Sequence, residues 1–178
     1  MSVPQLSADR LRAHVREVPD FPSPGILFRD ITPLLRHAEA LREAVRLLSE
    51  PWRDRRPDLV LGIESRGFIL GALVACELRT GFVPVRKAGK LPWKVIRESY
   101  SLEYGRDTIE MHEDAVEPGQ SVLIVDDLIA TGGTAAATCS LAETAGARVL
   151  GFSFLVELSG LRGRGKLGAH DVHVVLDY

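Results

Sequence analysis

The stretch Val122-Leu-Ile-Val-Asp-Asp-Leu-Ile-Ala-Thr-Gly-Gly-Thr134 decides the fold. Its four leading apolar residues are long enough only for a buried strand. Two glycines between Thr131 and Thr134 predict a tight turn, and the Ala- and Thr-rich segment that follows predicts a helix. A glycine turn at a helix N-terminus suits a phosphate, because several N–H groups point at one place and the helix dipole adds positive potential. Asp126 and Asp127, just before the turn, suit sugar hydroxyls or a hard metal ion.

The pattern of strand, polar glycine turn and helix also occurs at 59–76, and further apolar strands are predicted at 81–85, 148–157 and 172–176. Alternating strands and helices predict an α/β fold with a mostly parallel central sheet flanked by helices. Ligands of such sheets bind at the carboxyl ends of the strands. We therefore expect Asp126 and Asp127, Glu64–Gly67 and Arg86–Lys90 to meet at one edge.

Length and composition predict a single domain spanning residues 1–178. The net charge of −2 and the pI near 6.2 argue against a protein that coats nucleic acid or an anionic membrane. No apolar run is long enough to span a membrane and Met1–Gln5 lacks the pattern of a secretion signal, so a cytoplasmic location is predicted. Cys76 and Cys139 are interpreted as reduced core residues. The five histidines show no metal-ligand spacing.

Four segments outside the central pattern have their own predicted structure. Residues 1–20 open with a short helix, and residues 38–50 form an amphipathic helix. Three prolines and a glycine in Phe21–Pro33 predict an irregular loop that still carries apolar side chains. Residues 94–112 mix apolar and polar residues in near-alternation and predict a two-stranded β excursion.

Three loops at the expected sheet edge carry complementary chemistry. The turn at Ala130–Thr134 offers N–H groups and hydroxyls to one phosphate, whereas the basic residues of the other two loops suit a more highly charged phosphate group. Those basic residues are Arg66, Arg86, Lys87 and Lys90. With two carboxylates placed for ribose hydroxyls, the implied ligand is a sugar with phosphate at both ends, held with Mg²⁺.

Two common nucleotide-binding motifs are absent. The chain contains no G-x-x-x-x-G-K-[ST] element and no G-x-G-x-x-G after a strand, which argues against a P-loop NTPase and a dinucleotide-binding fold. A purely structural explanation of Asp126–Gly133, a helix cap followed by a tight turn, is possible for the motif alone. It accounts for none of the basic residues in the other two loops.

Val122–Thr134 resembles the phosphoribosyl diphosphate signature of the type I phosphoribosyltransferases, and the likeness to their adenine-specific members extends over most of the chain. The matching pieces are Phe21-Pro-Ser-Pro-Gly25, Phe28-Arg-Asp30, Gly62–Phe68, Val85-Arg-Lys87, Gly89-Lys-Leu-Pro92, Ser99–Gly105 and Glu117-Pro-Gly119. The signature identifies the superfamily, whereas the loops at 24–30 and 101–105 point to adenine. The implied reaction joins adenine to 5-phosphoribosyl 1-diphosphate, giving AMP and diphosphate.

The resemblance implies a role for each loop. Ala130, Thr131, Gly132, Gly133 and Thr134 would hold the 5′-phosphate, and Asp126 and Asp127 the ribose hydroxyls. Arg66, Lys87 and Lys90 would contact diphosphate, with Arg86 a weaker candidate. Phe28 would stack on adenine in a hood formed by about 1–35, backbone groups of Leu27 and Arg29 would read its edge, and Leu128 would cover its other face. The family often has a non-proline cis peptide, which here would fall at Glu64–Ser65.

The resemblance also implies a lid at about 94–107. Glu103 at its tip would manage the proton of adenine as the N9–C1′ bond forms, with Tyr104 helping to close the site. Two segments depart from the family pattern: Trp93 is bulkier than expected, and Gly160–Gly168 matches only loosely. Mg²⁺ would be held mainly through the substrate rather than by direct protein ligands.

Two other functions are weighed against the adenine enzyme. A phosphoribosyltransferase for 6-oxopurines would commonly carry a Lys after the signature helix, and Gly151–Leu158 offers none. A non-catalytic regulator of this fold would need a nucleic-acid-binding surface, but the chain has no basic surplus and retains Glu103. The resemblance further implies a homodimer.

Overall fold

The computed structural model describes residues 8–102 and 105–178. Residue contacts divide the chain into two compact units, Met1–Leu47 and Leu48–Tyr178. The single domain expected from the sequence stays a prediction.

The first unit contains short elements. They are α1 (Ala8–Arg12), β1 (Arg16–Pro19), β2 (Leu27–Asp30), α2 (Thr32–Arg36) and most of α3 (Ala38–Ser49). β1 and β2 pair antiparallel, with Val18 opposite Phe28. The prediction that 21–33 is irregular throughout was therefore wrong at its centre. Its prolines flank β2 rather than interrupt it, and the bend is confined to Phe21–Ile26, where Gly25 has a φ of 87°.

The described strands of the second unit form one seven-stranded sheet in the order β5-β6-β4-β3-β7-β8-β9. The neighbours from β4 through β3, β7 and β8 to β9 pair parallel, whereas β5, β6 and β4 pair antiparallel. The elements are β3 (Leu59–Ile63), α4 (Arg66–Leu78), β4 (Gly81–Lys87), β5 (Val95–Leu102), β6 (Gly105–His112), β7 (Ser121–Ile129), α5 (Gly133–Thr144), β8 (Arg148–Glu157) and β9 (Asp171–Asp177). This confirms the predicted mostly parallel α/β fold.

The core of the second unit forms where the parallel strands meet the helices. Val122 and Ile124 of β7, with Phe152 and Phe154 of β8, are fully buried. They belong to one apolar cluster that also contains Leu141 of α5. Burial on both faces explains why these strands are continuous apolar runs. In the described part of the chain, no helix is both long and apolar enough to cross a membrane.

β7 is longer than predicted. The sequence predicted a strand that ends in the two acids, Asp126 and Asp127, but the strand continues to Ile129, and the register pairs Leu128 with Val156 of β8. A ten-residue β8 supplies partners for the extra residues. The two carboxylates therefore lie within a strand, which fixes their backbone more firmly than a loop would.

One prediction about the cysteines was wrong: Cys76, interpreted as a core residue, is exposed, whereas Cys139 is buried as expected. Cys139, Glu143 and His170 lie with their ligand atoms within 4.8 Å of one another. Cys139 and Glu143 are one helical turn apart on α5, whereas His170 precedes β9. No metal-ligand spacing is visible in the sequence, because the fold rather than the local chain brings His170 to α5.

Candidate active site

The predicted phosphate loop, Ala130–Thr134, connects β7 to α5. Gly132 has a φ of 75°, a left-handed conformation that favours glycine, and the helix begins at the next residue. The first N–H groups of a helix have no partner within the helix, so α5 presents donors at this point. The local geometry therefore fits an anion-binding turn.

Gly163 supports this loop and was missed by sequence reasoning. A Cβ on Gly132 would lie 2.2 Å from the carbonyl oxygen of Gly163, and a Cβ on Gly163 would lie 2.3 Å from that of Ala130. The two backbones can approach this closely only because neither residue has a side chain. Gly163 lies in the loosely matching stretch Gly160–Gly168, where only the presence of several glycines could have drawn attention to it.

The two carboxylates lie beside the N-terminus of α4. Arg66 Nε is 2.7 Å from Oδ2 of Asp127, which is 5% exposed. Asp126 Oδ1 accepts a hydrogen bond from the Asp127 N–H, at 2.8 Å. A Cβ on Gly67 would lie 2.7 Å from Asp126 Oδ1, so Gly67 makes room for this carboxylate.

Burial makes this pair of carboxylates hard to ionise. Burial, and then the adjacent charge of Asp127, raises the pKa of Asp126 well above its usual range. Burial also raises the pKa of Asp127, against the effect of the Arg66 guanidinium. Hydrogen-bond donors brought by a ligand, such as sugar hydroxyls, would stabilise the ionised forms.

Glu64 organises the basic loop at 86–90. It pairs with Lys90 and lies 3.4 Å from Arg86 Nε, and its Oε2 accepts a hydrogen bond from the Lys87 N–H at 3.0 Å. Burial opposes ionisation of Glu64, but these donors outweigh it and lower its pKa. The peptide bond Glu64–Ser65 is cis, as the resemblance implied. The loops after β3 and β4 thus converge, as predicted for this edge.

A chain of polar contacts joins the phosphate loop to the β5–β6 hairpin. The Thr134 hydroxyl donates to Tyr100 Oη at 3.0 Å, Tyr100 Oη lies 3.3 Å from Asp107 Oδ2, and Lys87 Nζ lies 3.3 Å from the same oxygen. Burial raises the pKa of Tyr100, so its hydroxyl stays a donor. The sequence did not identify Tyr100 or Asp107, because their partners are distant in the chain.

Buried Glu110 fixes the same basic loop from β6. Its side chain accepts a hydrogen bond from the Gly89 N–H at 2.9 Å and one from Arg97 Nε at 2.6 Å. Glu110 is only 1% exposed, whereas the Arg97 side chain that pairs with it is 63% exposed. Glu110 therefore positions the loop that carries Lys87 and Lys90, a role that sequence reasoning also missed.

The remaining predicted site residues are those assigned to the lid and to the adenine base. Glu103 and Tyr104 lie outside the described residues. In the first unit, Phe28 packs edge-to-face on Phe21 with 5.1 Å between ring centroids, and the Arg29 guanidinium pairs with Glu17. Leu128 is partly exposed on β7. Their roles towards adenine stay predictions.

Comparison with known proteins identifies the family. The family model described as "Phosphoribosyl transferase domain" matches residues 30–175. Adenine phosphoribosyltransferase of Desulfitobacterium hafniense is 54% identical over 165 residues, covering 93% of this chain and 95% of that protein. The chain belongs to the adenine phosphoribosyltransferase family.

Solved structures of adenine phosphoribosyltransferases share the fold closely. The crystal structure of the Rhodothermus marinus protein aligns with a TM-score of 0.93 at 58% identity, covering 96% of this chain and 98% of that one. The Saccharomyces cerevisiae protein, crystallised with an imino-altritol 1,6-bisphosphate and adenine, aligns with a TM-score of 0.90 at 42% identity, covering 95% and 98%. Membership of this family explains the chemistry of the sheet edge better than a helix cap and turn.

Proposed function

We propose that this chain transfers the 5-phosphoribosyl group from 5-phosphoribosyl 1-diphosphate to adenine, giving AMP and diphosphate in purine salvage. The observation that carries the proposal is the convergence, at one sheet edge, of a phosphate turn, two carboxylates and four basic side chains. The similarity to adenine phosphoribosyltransferases over nearly the whole chain supports adenine as the base. The yeast protein was crystallised with a bisphosphate and adenine, which correspond to a sugar-phosphate part and a base part of such a site.

The phosphoribosyl substrate would lie across the three loops. Ala130–Thr134 would hold the 5′-phosphate and Asp126 and Asp127 the ribose hydroxyls. Arg66, Lys87 and Lys90, with Arg86 in a weaker role, would contact the diphosphate. Each of these cations is paired with a carboxylate of the chain, so the diphosphate would compete with Asp127, Glu64 and Asp107 for them.

A divalent metal fits the reaction, and we propose Mg²⁺. Asp126 and Asp127 supply oxygen donors of the kind Mg²⁺ prefers, but Asp127 is already engaged by Arg66. The ion would therefore be held mainly through the diphosphate and ribose oxygens, with no direct protein ligand. When bound, it would neutralise charge on the departing diphosphate.

The remaining roles follow from the chemistry at the anomeric carbon. Substitution there passes through an oxocarbenium-like state, so the basic side chains would stabilise the leaving group while the lid excludes water. Glu103 would manage the proton of adenine and Tyr104 would help to close the site. Leu27, Phe28, Arg29 and Leu128 would bind the base.

The direct test is product analysis. The full chain, incubated with adenine and 5-phosphoribosyl 1-diphosphate, should form AMP and diphosphate in equal amounts with Mg²⁺ and lose activity with excess chelator. Formation of ribose 5-phosphate without AMP would instead indicate a hydrolase.

The role of Glu103 has a separate test. Glu103→Gln should lower kcat at least a hundredfold while changing KM for 5-phosphoribosyl 1-diphosphate by less than about threefold, since general acid–base catalysis contributes ~10²–10⁴-fold. Glu98→Gln, five residues earlier in the sequence and on β5, is the matched control and should stay near wild type. Equal losses in kcat and substrate binding would assign Glu103 to binding or folding.

We further propose that the enzyme is a homodimer. Ile69 and Leu73, one turn apart on α4, are 45% and 36% exposed, and Cys76 continues the same exposed face. Apolar side chains clustered on one helix face are typical of an interface. A cytoplasmic location, expected from the sequence, stays a prediction.

A further inference from the structure

We propose that Cys139, Glu143 and His170 form a Zn²⁺-binding site separate from the substrate site. Cys139 Sγ lies 3.4 Å from His170 Nε2, and the same nitrogen lies 3.6 Å from Glu143 Oε1. Thiolate, imidazole and carboxylate together are a donor set typical of zinc. None of these three residues has a role in the proposed reaction.

Two of the three separations between the ligand atoms match those expected around one ion, and all three atoms lie within 4.8 Å of one another. Zinc–ligand bonds of about 2.3 Å to sulfur and about 2.0–2.1 Å to nitrogen and oxygen, at tetrahedral angles, separate sulfur from nitrogen by about 3.5 Å and nitrogen from oxygen by about 3.3 Å. The observed separations of 3.4 and 3.6 Å are close to these values. Small side-chain rotations would therefore complete three corners of a tetrahedron, leaving the fourth for water.

The geometry argues against a nucleophilic triad made of the same residues. In a triad the histidine would face the thiol with one ring nitrogen and the carboxylate with the other. Here Cys139 and Glu143 both approach Nε2 of His170.

The fold makes the site accessible and holds its parts in place. Cys139 is buried at 7% exposure, whereas the His170 and Glu143 side chains are 29% and 54% exposed, so an ion can enter from solvent. The His170 ring packs edge-to-face on Phe152 of β8, with 5.9 Å between centroids. A bound ion would tie the segment before β9 to the second half of α5, whose N-terminus carries the phosphate loop.

Cobalt titration tests the proposal, because Co²⁺ replaces Zn²⁺ and gives a charge-transfer absorption only with a thiolate ligand. The full chain, stripped of metal and free of any affinity tag, should bind one Co²⁺ with this absorption, and Zn²⁺ should abolish it. Cys139→Ala should lose the absorption, and Cys76→Ala, which removes the other cysteine, should keep it. Co²⁺ bound to substrate-site carboxylates would not produce the signal.

Two further variants test the other ligands and keep the proposal testable if Cys139→Ala does not fold. His170→Ala and Glu143→Gln should each weaken Co²⁺ binding at least tenfold, with unchanged melting temperatures in chelator. Zn²⁺ should raise the melting temperature of the wild type and of Cys76→Ala but not of His170→Ala. An absent thiolate absorption in the wild type, its persistence in Cys139→Ala, or unchanged affinity in both other variants would overturn the proposal.

Discussion

At the scale of single residues, Gly163 shows how a missing side chain can shape a binding loop. Gly163→Ala would place a methyl group 2.3 Å from the Ala130 carbonyl oxygen, so the phosphate loop must move. We expect about a tenfold rise in KM for 5-phosphoribosyl 1-diphosphate, equivalent to ~1.4 kcal/mol, together with a lower melting temperature.

Gly165→Ala is the matched control, because a Cβ there meets nothing within 4 Å. It lies two residues away in the same short 3-10 helix, Gly163–Lys166, and should leave KM and the melting temperature unchanged. Steady-state kinetics and thermal melts of the two variants would check this. A Gly163→Ala enzyme with wild-type KM and melting temperature would contradict the role assigned to Gly163.

Glu64 makes stability depend on pH in a predictable direction. Its pKa is lower in the folded chain than the ~4.3 of an unfolded chain. Its stabilising contribution is therefore complete above that value and is lost as the pH falls through the folded pKa. Glu64→Gln should be less stable than wild type at pH 7, and the difference should close as the pH falls below about 4.

Thermal melts of both proteins across this pH range provide the measurement. Glu113→Gln is the control, because its carboxylate is 46% exposed and pairs at 3.5 Å with a lysine that is 72% exposed. Such exposed pairs contribute little. A gap between wild type and Glu64→Gln that stays constant from pH 7 to pH 3 would show that Glu64 acts through packing rather than charge.

At the scale of elements, Tyr100 couples the β5–β6 hairpin to the phosphate loop. Tyr100→Phe removes the hydrogen bond from Thr134 and the contact with Asp107 while keeping the ring. We expect a loss of ~1 kcal/mol in the free energy of unfolding and a several-fold rise in KM for 5-phosphoribosyl 1-diphosphate, because both Thr134 and Lys87 lose an indirect support.

Ser99→Ala on the same strand is the control for this change. It removes an exposed hydroxyl contact with Thr108, at 2.9 Å, that stays within the hairpin. Denaturant unfolding and steady-state kinetics would compare the two variants. If they have the same KM, the coupling between hairpin and phosphate loop plays no part in substrate binding.

The elements also show what the sequence could and could not predict. The strands of the parallel sheet were predictable because burial on both faces leaves uninterrupted apolar runs such as Val122–Val125. β2 was missed because the prolines and the glycine that flank it dominate the local signal, and the end of β7 was missed because Asp126 and Asp127 interrupt the apolar run. Pairing with β1 determines that β2 forms, and pairing with β8 extends β7 to Ile129.

The residues of the candidate site likewise fall into those that could be predicted from the sequence and those that could not. The phosphate turn and the basic loop are each one continuous stretch of sequence, so both could be predicted. Gly163, Tyr100 and Glu110 act on residues far away in the chain, and no local pattern records those contacts. The same holds for the approach of His170 to Cys139, which only the path of the chain from α5 to β9 creates.

At the scale of the whole molecule, the exposed face of α4 predicts the assembly state. Leu73→Glu would place a charge in the proposed interface, so the variant should sediment as a monomer at concentrations where the wild type is a dimer. Lys166→Gln is the control, because it lowers the net charge by the same one unit at an exposed position. A wild type that sediments as a monomer, or a Leu73→Glu variant that stays dimeric, would contradict this interface.

The chain is expected to form AMP from adenine much faster than it forms a nucleotide from any 6-oxopurine. The most direct measurement is kcat/KM for adenine, guanine, hypoxanthine and xanthine with saturating 5-phosphoribosyl 1-diphosphate and Mg²⁺. We predict turnover of adenine that exceeds that of each 6-oxopurine by at least a thousandfold. No turnover of adenine, or equal turnover of adenine and hypoxanthine, would contradict the account.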